Sequence, residues 1–409
     1  MKVVFCTRVY NMEDYEKYCA KAGHNLSLSD SNFTHRFIEG IEANIRSPIA
    51  LVNVTPIPGF PQYPDIIIKT RTWKHTEKAN DIECGYINLP IIKQYTRSRR
   101  IYHSLKKLIS DEKDKIQIVT YDLHVDACVA IKKIKNAYPD IHTTVILPDI
   151  PELMMDVRKI KKGSLAEKYV KKQMSYINMF DSYVFVTRYM HDFISDINKP
   201  YTIIEGMWSG KTKKKVEKRE INNTRNIVLY SGLLAEEYCI HELVQAIVKI
   251  NEMYDYCELW ICGDGQERDY VADMSQKFNY IKYFGYVNSN EMENLQQKAT
   301  LLINPRPNEG KYTRYSFPSK TISYLAAGKP VIAYKLDGIP DEYDKHIIYI
   351  DSLRERTESI VDSIKSILEL TEEEREVMGR DNMRFIESNK QSKIMCKRII
   401  QMWSKICSK

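Results

Sequence analysis

Short apolar, β-branched runs alternate along the chain with longer stretches in which apolar positions recur every three or four residues. Runs at Val3–Cys6, Ile49–Val54, Ile66–Ile68, Ile87–Ile91, Ile116–Thr120, Thr143–Ile146, Tyr183–Thr187 and Thr202–Ile204 predict the strands of the first half. Between them, Ile101, Leu105, Leu108 and Ile109 lie on one helical stripe, which predicts a helix carrying Arg97, Arg99, Arg100, Lys106 and Lys107 on its other faces. Leu165, Tyr169, Val170, Met174 and Ile177 mark a second helix. Strand-length runs separated by helix-length stripes predict a mostly parallel sheet covered by helices.

The pattern stops over residues 209–224, which are polar and charged without an apolar period and predict a solvated linker. It restarts with strands at Asn226–Ser231, Cys257–Cys262, Tyr280–Phe284, Leu301–Asn304, Val331–Tyr334 and His346–Ile350. Helices are predicted near 240–252, 266–277, 289–298, 318–327, 355–369, 371–388 and 391–407. The fold class is therefore α/β, with two Rossmann-like domains and a cleft between them. The first domain covers 1–208, the linker 209–224, the second domain 225–390, and a last helix 391–409.

Composition narrows this picture. A chain of 409 residues is too long for one ordinary core and suits two domains. No apolar run reaches the roughly 20 residues of a spanning helix. The short apolar run after Lys2 reads as a first strand rather than a signal-peptide core. Nine cysteines form no Cys-x-x-Cys pair, which argues for buried reduced thiols and a cytoplasmic location. The net charge of +7 is uneven: residues 1–220 hold 36 Lys and Arg against 26 Asp and Glu, whereas residues 221–409 hold 25 against 28. A basic first half fits an anionic lipid surface or a phosphorylated substrate. Nucleic acid ranks last, because no nucleic-acid motif accompanies the charge.

In open α/β sheets the chemistry sits just beyond the carboxyl ends of strands. Three such ends stand out. Gly232 follows Leu229-Tyr-Ser and can let backbone N–H groups approach a phosphate, or simply serve a tight turn. Gly263-Asp-Gly265 follows Leu259-Trp-Ile-Cys. The third end, after Ile303-Asn304, opens a loop with Arg306, Lys311 and Arg314, then Pro318, Ser319 and Lys320 at a helix start, with Ser316 as a candidate cap. Cations and a helix start together favour an anion. Gly210-Lys-Thr212 is not a P-loop, since the first glycine of that motif would fall on Glu205.

Residues 226–345 resemble the C-terminal domain of GT-B glycosyltransferases, in particular the large retaining family that builds bacterial capsule, exopolysaccharide and cell-surface glycans. The likeness rests on Tyr230-Ser-Gly-Leu-Leu234, Ile261-Cys-Gly-Asp-Gly265, Phe284-Gly-Tyr-Val287, Asn304-Pro-Arg306, Tyr315-Ser-Phe-Pro-Ser-Lys-Thr321, Ala327-Gly-Lys-Pro-Val-Ile332 and Gly338-Ile-Pro340. Phe33-Thr-His-Arg-Phe37, Pro148-Asp-Ile-Pro-Glu152 and Ile204-Glu-Gly-Met207 extend it more loosely over the first half. The resemblance implies donor diphosphate contacts at Gly232, Arg306, Ser319 and Lys320, and nucleoside contacts at Gly263, Tyr286, Val287 and Ser323. It further implies a catalytic His124, with Asp122 beside it, and an acceptor side at Phe33, Arg36, Asp149 and Glu205. It also implies that the last helix returns to the N-terminal domain. The chain departs from the family where an Arg and a Lys usually grip the diphosphate, at Leu233 and Tyr238. It departs again at Tyr315 and Ser323, where two Glu are usual.

The function this implies is transfer of a sugar, with retention, from a nucleotide diphosphate sugar to a hydroxyl of a glycan or lipid-linked acceptor in surface polysaccharide synthesis. No cofactor and no metal are expected, and the protein is expected in the cytoplasm, at the inner face of the membrane. Two other readings stand beside it. One is a GT-B-like binding protein that has lost catalysis, motivated by the four departures. The other is a nucleotide-sugar epimerase of the same architecture, for which no carboxylate and histidine cluster is evident in the sequence.

Overall fold

The computed structural model describes residues 1–110, 112, 114–157, 160–194, 198–210, 226–254, 257–310 and 312–407. Most of the predicted linker, and Lys311, lie outside the described residues. The chain divides into two compact units, residues 1–207 with 392–409, and residues 208–391.

The first unit contains β1 (Lys2–Thr7), α1 (Tyr15–Ala22), α2 (Ser29–Ile45), β2 (Ala50–Asn53), β3 (Ile67–Ile68), β4 (Arg71–Trp73), β5 (Asp81–Glu83) and β6 (Tyr86–Ile87). It continues through α3 (Ile92–Ile109), β7 (Ile116–Tyr121), α4 (Val125–Ala137), β8 (His142–Leu147), α5 (Met154–Val157), α6 (Leu165–Met174), β9 (Ser182–Phe185) and β10 (Tyr201–Ile203). Its eight-stranded sheet runs β10-β9-β8-β7-β1-β2-β5-β4. Within it, only β4 is antiparallel to its neighbour. The chain winds one way from β1 to β2 and the other way from β7 outward, so the loops after β1 and β7 part from each other. That divergence is the topological switch point, where open sheets leave a crevice.

The second unit contains β11 (Asn226–Ser231), α7 (Ile240–Tyr254), β12 (Cys257–Cys262), α8 (Arg268–Lys277), β13 (Ile281–Gly285), α9 (Ser289–Lys298), β14 (Leu301–Asn304) and α10 (Lys320–Ala326). It ends with β15 (Val331–Ala333), β16 (Ile348–Tyr349), α11 (Arg356–Leu368) and α12 (Glu372–Asn389). Six strands run β13-β12-β11-β14-β15-β16, and all pairs are parallel. Here the switch point falls between β11 and β14. The central strands are buried on both faces, which is why they read as unbroken apolar runs.

The last helix, α13 (Ser392–Cys407), belongs to the first unit and packs on α2. Gly40 permits the contact: a Cβ there would stand 2.5 Å from both Ser392 O and Cys396 Sγ. Met395, Ile399, Met402 and Trp403 are buried, and Trp403 Nε1 donates to Thr144 Oγ1 at 2.9 Å, which ties the helix to β8.

Several local expectations shift. The strand predicted over Ile87–Ile91 shrinks to β6, since Pro90 has no N–H to give to a ladder and Ile91 takes φ +68° ahead of α3. The short strands β4 and β5 were not expected. Arg97, expected on a face of α3 away from its apolar stripe, is 5% exposed. Ser316 does not cap α10; its hydroxyl faces Arg306. The helix begins at Lys320 and has seven residues, so the anion-attracting power of its start rests on side-chain charge more than on a helix dipole.

Candidate functional site

In the second unit, the loops that follow β11, β12 and β14 meet at the switch point. Gly232 N donates to Cys262 O at 3.0 Å, Leu234 N to Asp264 O at 3.0 Å, and Gly263 N to Gly285 O at 2.8 Å. Gly263 holds φ +135°, and a Cβ there would lie 1.8 Å from Gly232 O. Its lack of a side chain is thus first a packing requirement between neighbouring loops, whatever ligand it also faces. Ser231 N donates to Tyr324 Oη at 2.8 Å, which fastens α10 beside the Gly232 turn.

Arg306 leaves the end of β14 and is 9% exposed. Its Nη2 donates to Ser316 Oγ at the long distance of 3.5 Å, and its Nε has no hydrogen-bond partner. Its guanidinium carbon stands 4.9 Å from the centre of the Tyr312 ring and 5.6 Å from that of Tyr238. No carboxylate of the described residues pairs with it. Burying a guanidinium without an anion is costly. Lys320, at the start of α10, is likewise without a carboxylate among the described residues. It exposes much of its side-chain area to solvent, yet the protein mass around its ammonium lowers its pKa by desolvation, against a small opposing effect of Cys262.

The structure places the other expected donor residues as follows. Ser319 is exposed and caps nothing with its side chain. Ser323 donates to Lys320 O at 2.9 Å and holds the first turn of α10. Tyr286 is exposed just after β13, whereas Val287 packs against the core. Leu233, at the family's usual Arg position, points a largely exposed side chain outward. Gly232, Gly263, Lys320 and Ser323 come together through the β11, β12 and α10 contacts, and Arg306 stands on the β14 side of the same switch point.

In the first unit, the switch point gathers Arg8 after β1 and Asp122 and His124 after β7. Asp122 takes φ +61°, a strained conformation for a side-chain-bearing residue. Its carboxylate accepts from Leu123 N at 2.6 Å and lies 3.9 Å from His124 Nδ1. Burial, with Asp149 and Asp30 adding like charge, pushes the Asp122 carboxyl up to about 6. His124 stands at the N-cap position of α4; burial and then Arg8 and Arg97 push its imidazole down to about 3. The histidine is therefore neutral, a hydrogen-bonding group rather than a charge. Asp149 joins this end of the sheet through its effect on Asp122 and Tyr121. Phe33 packs edge-on against Phe37 and Tyr121. Arg36 donates from Nη1 to Met207 O at 2.6 Å, so its visible work is structural. Glu205 is buried.

Sequence reasoning missed Arg8, Asp126, Lys93 and Arg97, and the aromatic surroundings of Arg306. Arg8 grips Asp126 with both carboxylate oxygens at 2.7 Å across 118 positions of sequence. No local pattern announces such a pair.

Residues 211–384, which lie within the second unit, match the family described as glycosyl transferases group 1. None of the curated proteins matches the sequence. Solved structures share the fold across the whole chain. Sucrose-phosphate synthase from Thermosynechococcus elongatus superposes with a TM-score of 0.67 at 12% identity, covering 100% of both chains. An α,α-trehalose-phosphate synthase (UDP-forming) from Burkholderia xenovorans, in complex with glucose-6-phosphate, gives 0.63 at 10% identity over 98% of this chain and 99% of that one. WaaG, a glycosyltransferase involved in lipopolysaccharide biosynthesis, gives 0.58 at 12% identity over 96% of each. Two Rossmann-like domains of this kind define the GT-B fold, and this chain has it.

Proposed function

We propose that the protein transfers a sugar from a nucleotide diphosphate sugar to a hydroxyl group of an acceptor. The observation that carries this is Arg306, a buried guanidinium with an unpartnered Nε and no carboxylate partner among the described residues, at the switch point of the unit that matches the glycosyl transferases group 1 family. Lys320 supports it as a second cation that has no carboxylate partner among the described residues. Breaking the anomeric bond leaves charge on the departing diphosphate. Fixed cations stabilise that charge without reorganising, and so lower the barrier. Arg306 and Lys320 would supply this neutralisation themselves, which favours a metal-independent reaction.

In the first unit, neutral His124 offers a hydrogen bond to a sugar hydroxyl, and Asp122 and Asp149 offer acceptors. The family resemblance supports retention of the anomeric configuration and an acceptor that is a glycan or a lipid-linked glycan of the cell surface. A surface patch supports a station at the inner face of the membrane. Ile91, Ile67 and Tyr95 are 94%, 71% and 66% exposed, beside the basic helix α3. Apolar side chains set among cations fit an anionic lipid surface.

The test is a thermal-shift panel of nucleoside diphosphates and nucleotide sugars, starting with UDP and its sugars, since a neighbour of the same fold is named for forming UDP. A ligand at 100 times its dissociation constant should add about 2.7 kcal/mol of stability. A panel in which no nucleoside diphosphate or nucleotide sugar raises the melting temperature would overturn the reading.

A further inference from the structure

At the switch point of the first unit, two cations of α3 stand without an ion-pair partner among the described residues. Lys93 and Arg97 stand four residues apart on one face of α3. Arg97 is 5% exposed; its Nη2 donates to Tyr86 Oη at 2.6 Å and its guanidinium carbon lies 4.0 Å from the centre of the Tyr86 ring. Both of those contacts are to a neutral phenol, and its Nε has no hydrogen-bond partner. No carboxylate of the described residues pairs with Lys93 or Arg97. Arg8 completes the group, with Asp126 held in a bidentate pair. Gly59 makes room beside the cluster, since a Cβ there would stand 2.9 Å from Lys93 Nζ.

The three cations act on one another. Burial, then Arg97 and Arg8, lowers the Lys93 ammonium; Arg8 also lowers Arg97; and both arginines help hold His124 neutral. Asp126 opposes this at each of those three groups but is a single carboxylate. The other acids of this end, Asp122, Asp149 and Asp30, act on one another and on Tyr121, and Asp122 also acts on Arg8. A buried, half-satisfied guanidinium beside a half-buried ammonium is the donor set that a phosphate oxygen satisfies.

We propose that Arg8, Lys93 and Arg97, beside His124, form an anion site distinct from the donor diphosphate site, and that it takes a phosphoryl group carried by the acceptor. This deepens the transferase reading and rests on it. The phosphoryl group belongs either to a soluble sugar phosphate or to a lipid-linked phosphate.

Isothermal titration of the full-length protein with inorganic phosphate, in the presence of a saturating nucleoside diphosphate, reads the site. The wild type is expected to bind one phosphate per chain. Arg97→Gln and Lys93→Ala should each bind it at least ~10-fold more weakly, while Arg306→Gln should bind it as the wild type does. Lys93 is half-buried, so its variant still gives a folded protein if Arg97→Gln does not. Titration with glucose 6-phosphate, and sedimentation with vesicles carrying a polyprenyl diphosphate, separate the two sources; binding in either arm that weakens in Lys93→Ala supports the site. Absence of phosphate binding by the wild type, or equal binding by the Lys93 and Arg97 variants, overturns it. Failure of the transferase reading looks different: no nucleoside diphosphate binds, yet phosphate binding that depends on Arg97 persists.

Discussion

Arg306 lies against Tyr312, its guanidinium carbon 4.9 Å from the ring centre, with Tyr238 on another side at 5.6 Å. Tyr238 occupies the position where the GT-B resemblance leads one to expect a Lys. An aromatic ring orients the guanidinium without neutralising it, so the charge stays available for a ligand, whereas a second cation there would repel it. Each such contact is worth about 0.5–1 kcal/mol. Tyr238→Ala should therefore weaken nucleoside diphosphate binding by roughly 2- to 5-fold by calorimetry, beside a loss of stability because the ring also packs against the core. An unaltered dissociation constant would show that the ring does not position Arg306.

The imidazole of His75 is held between Asp81 Oδ2 at 2.7 Å and Glu42 Oε1 at 2.9 Å and is 7% exposed. Although burial opposes it, hydrogen bonds to the two carboxylates raise the pKa to about 9. A His with a folded pKa above its unfolded value stabilises fully below about 6.5, and that contribution is lost as pH rises through about 9. Wild-type protein should thus melt several degrees lower at pH 10 than at pH 6.5, through this group alone. His75→Gln should melt lower at pH 6.5 and show a flatter profile over that window. A variant with the wild-type slope would remove His75 from the account.

Gly263 combines φ +135° with a neighbour, Gly232 O, 1.8 Å from where a Cβ would sit. Gly263→Ala must move one of the two strand-end loops. The expected cost is roughly 2–4 kcal/mol, read as a lower denaturant midpoint. Wild-type stability in that variant would mean the loops are not packed as described.

Much of the architecture was legible because its signals are local. Leu301–Asn304 reads as a strand from four apolar-to-polar letters, and the helix read near 289–298 is α9, at whose start the Asn288 side chain accepts from Glu291 N at 3.0 Å. The helix read near 371–388 is α12, and the structure closes its start with a capping box of Thr371 and Glu374. The strands β4 and β5 are three residues each and carry Arg71, Asp81 and Glu83, so no apolar alternation marks them. The sites were legible in part. Arg306 and Lys320 follow strand ends and stood out as cations. Arg97 did not, because only the fold supplies Tyr86 to accept its buried guanidinium. The Arg8–Asp126 pair and the Tyr238–Arg306 contact join residues far apart in sequence.

The patch formed by Ile67, Ile91 and Tyr95 beside α3 should bring the protein down with vesicles of anionic lipid at low salt and release it at high salt, since surface attraction is screened within a Debye length of about 8–10 Å. Ile91→Asp should reduce sedimentation without altering the melting temperature. Equal binding to neutral vesicles would contradict the electrostatic part of the proposal.

The central claim is that Arg306 and Lys320 receive the diphosphate of a nucleotide sugar. Lys320 tests it most directly, because its side chain is exposed and has no carboxylate partner among the described residues, so its removal leaves the fold intact. Charge-assisted hydrogen bonds contribute about 1.5–3 kcal/mol. The measurement is the calorimetric dissociation constant of the tightest nucleoside diphosphate for wild type and Lys320→Ala, with melting temperatures taken on the same samples. The account predicts a dissociation constant roughly 10- to 150-fold larger in the variant at an unchanged melting temperature. An unchanged dissociation constant, whether or not the variant loses stability, would contradict it.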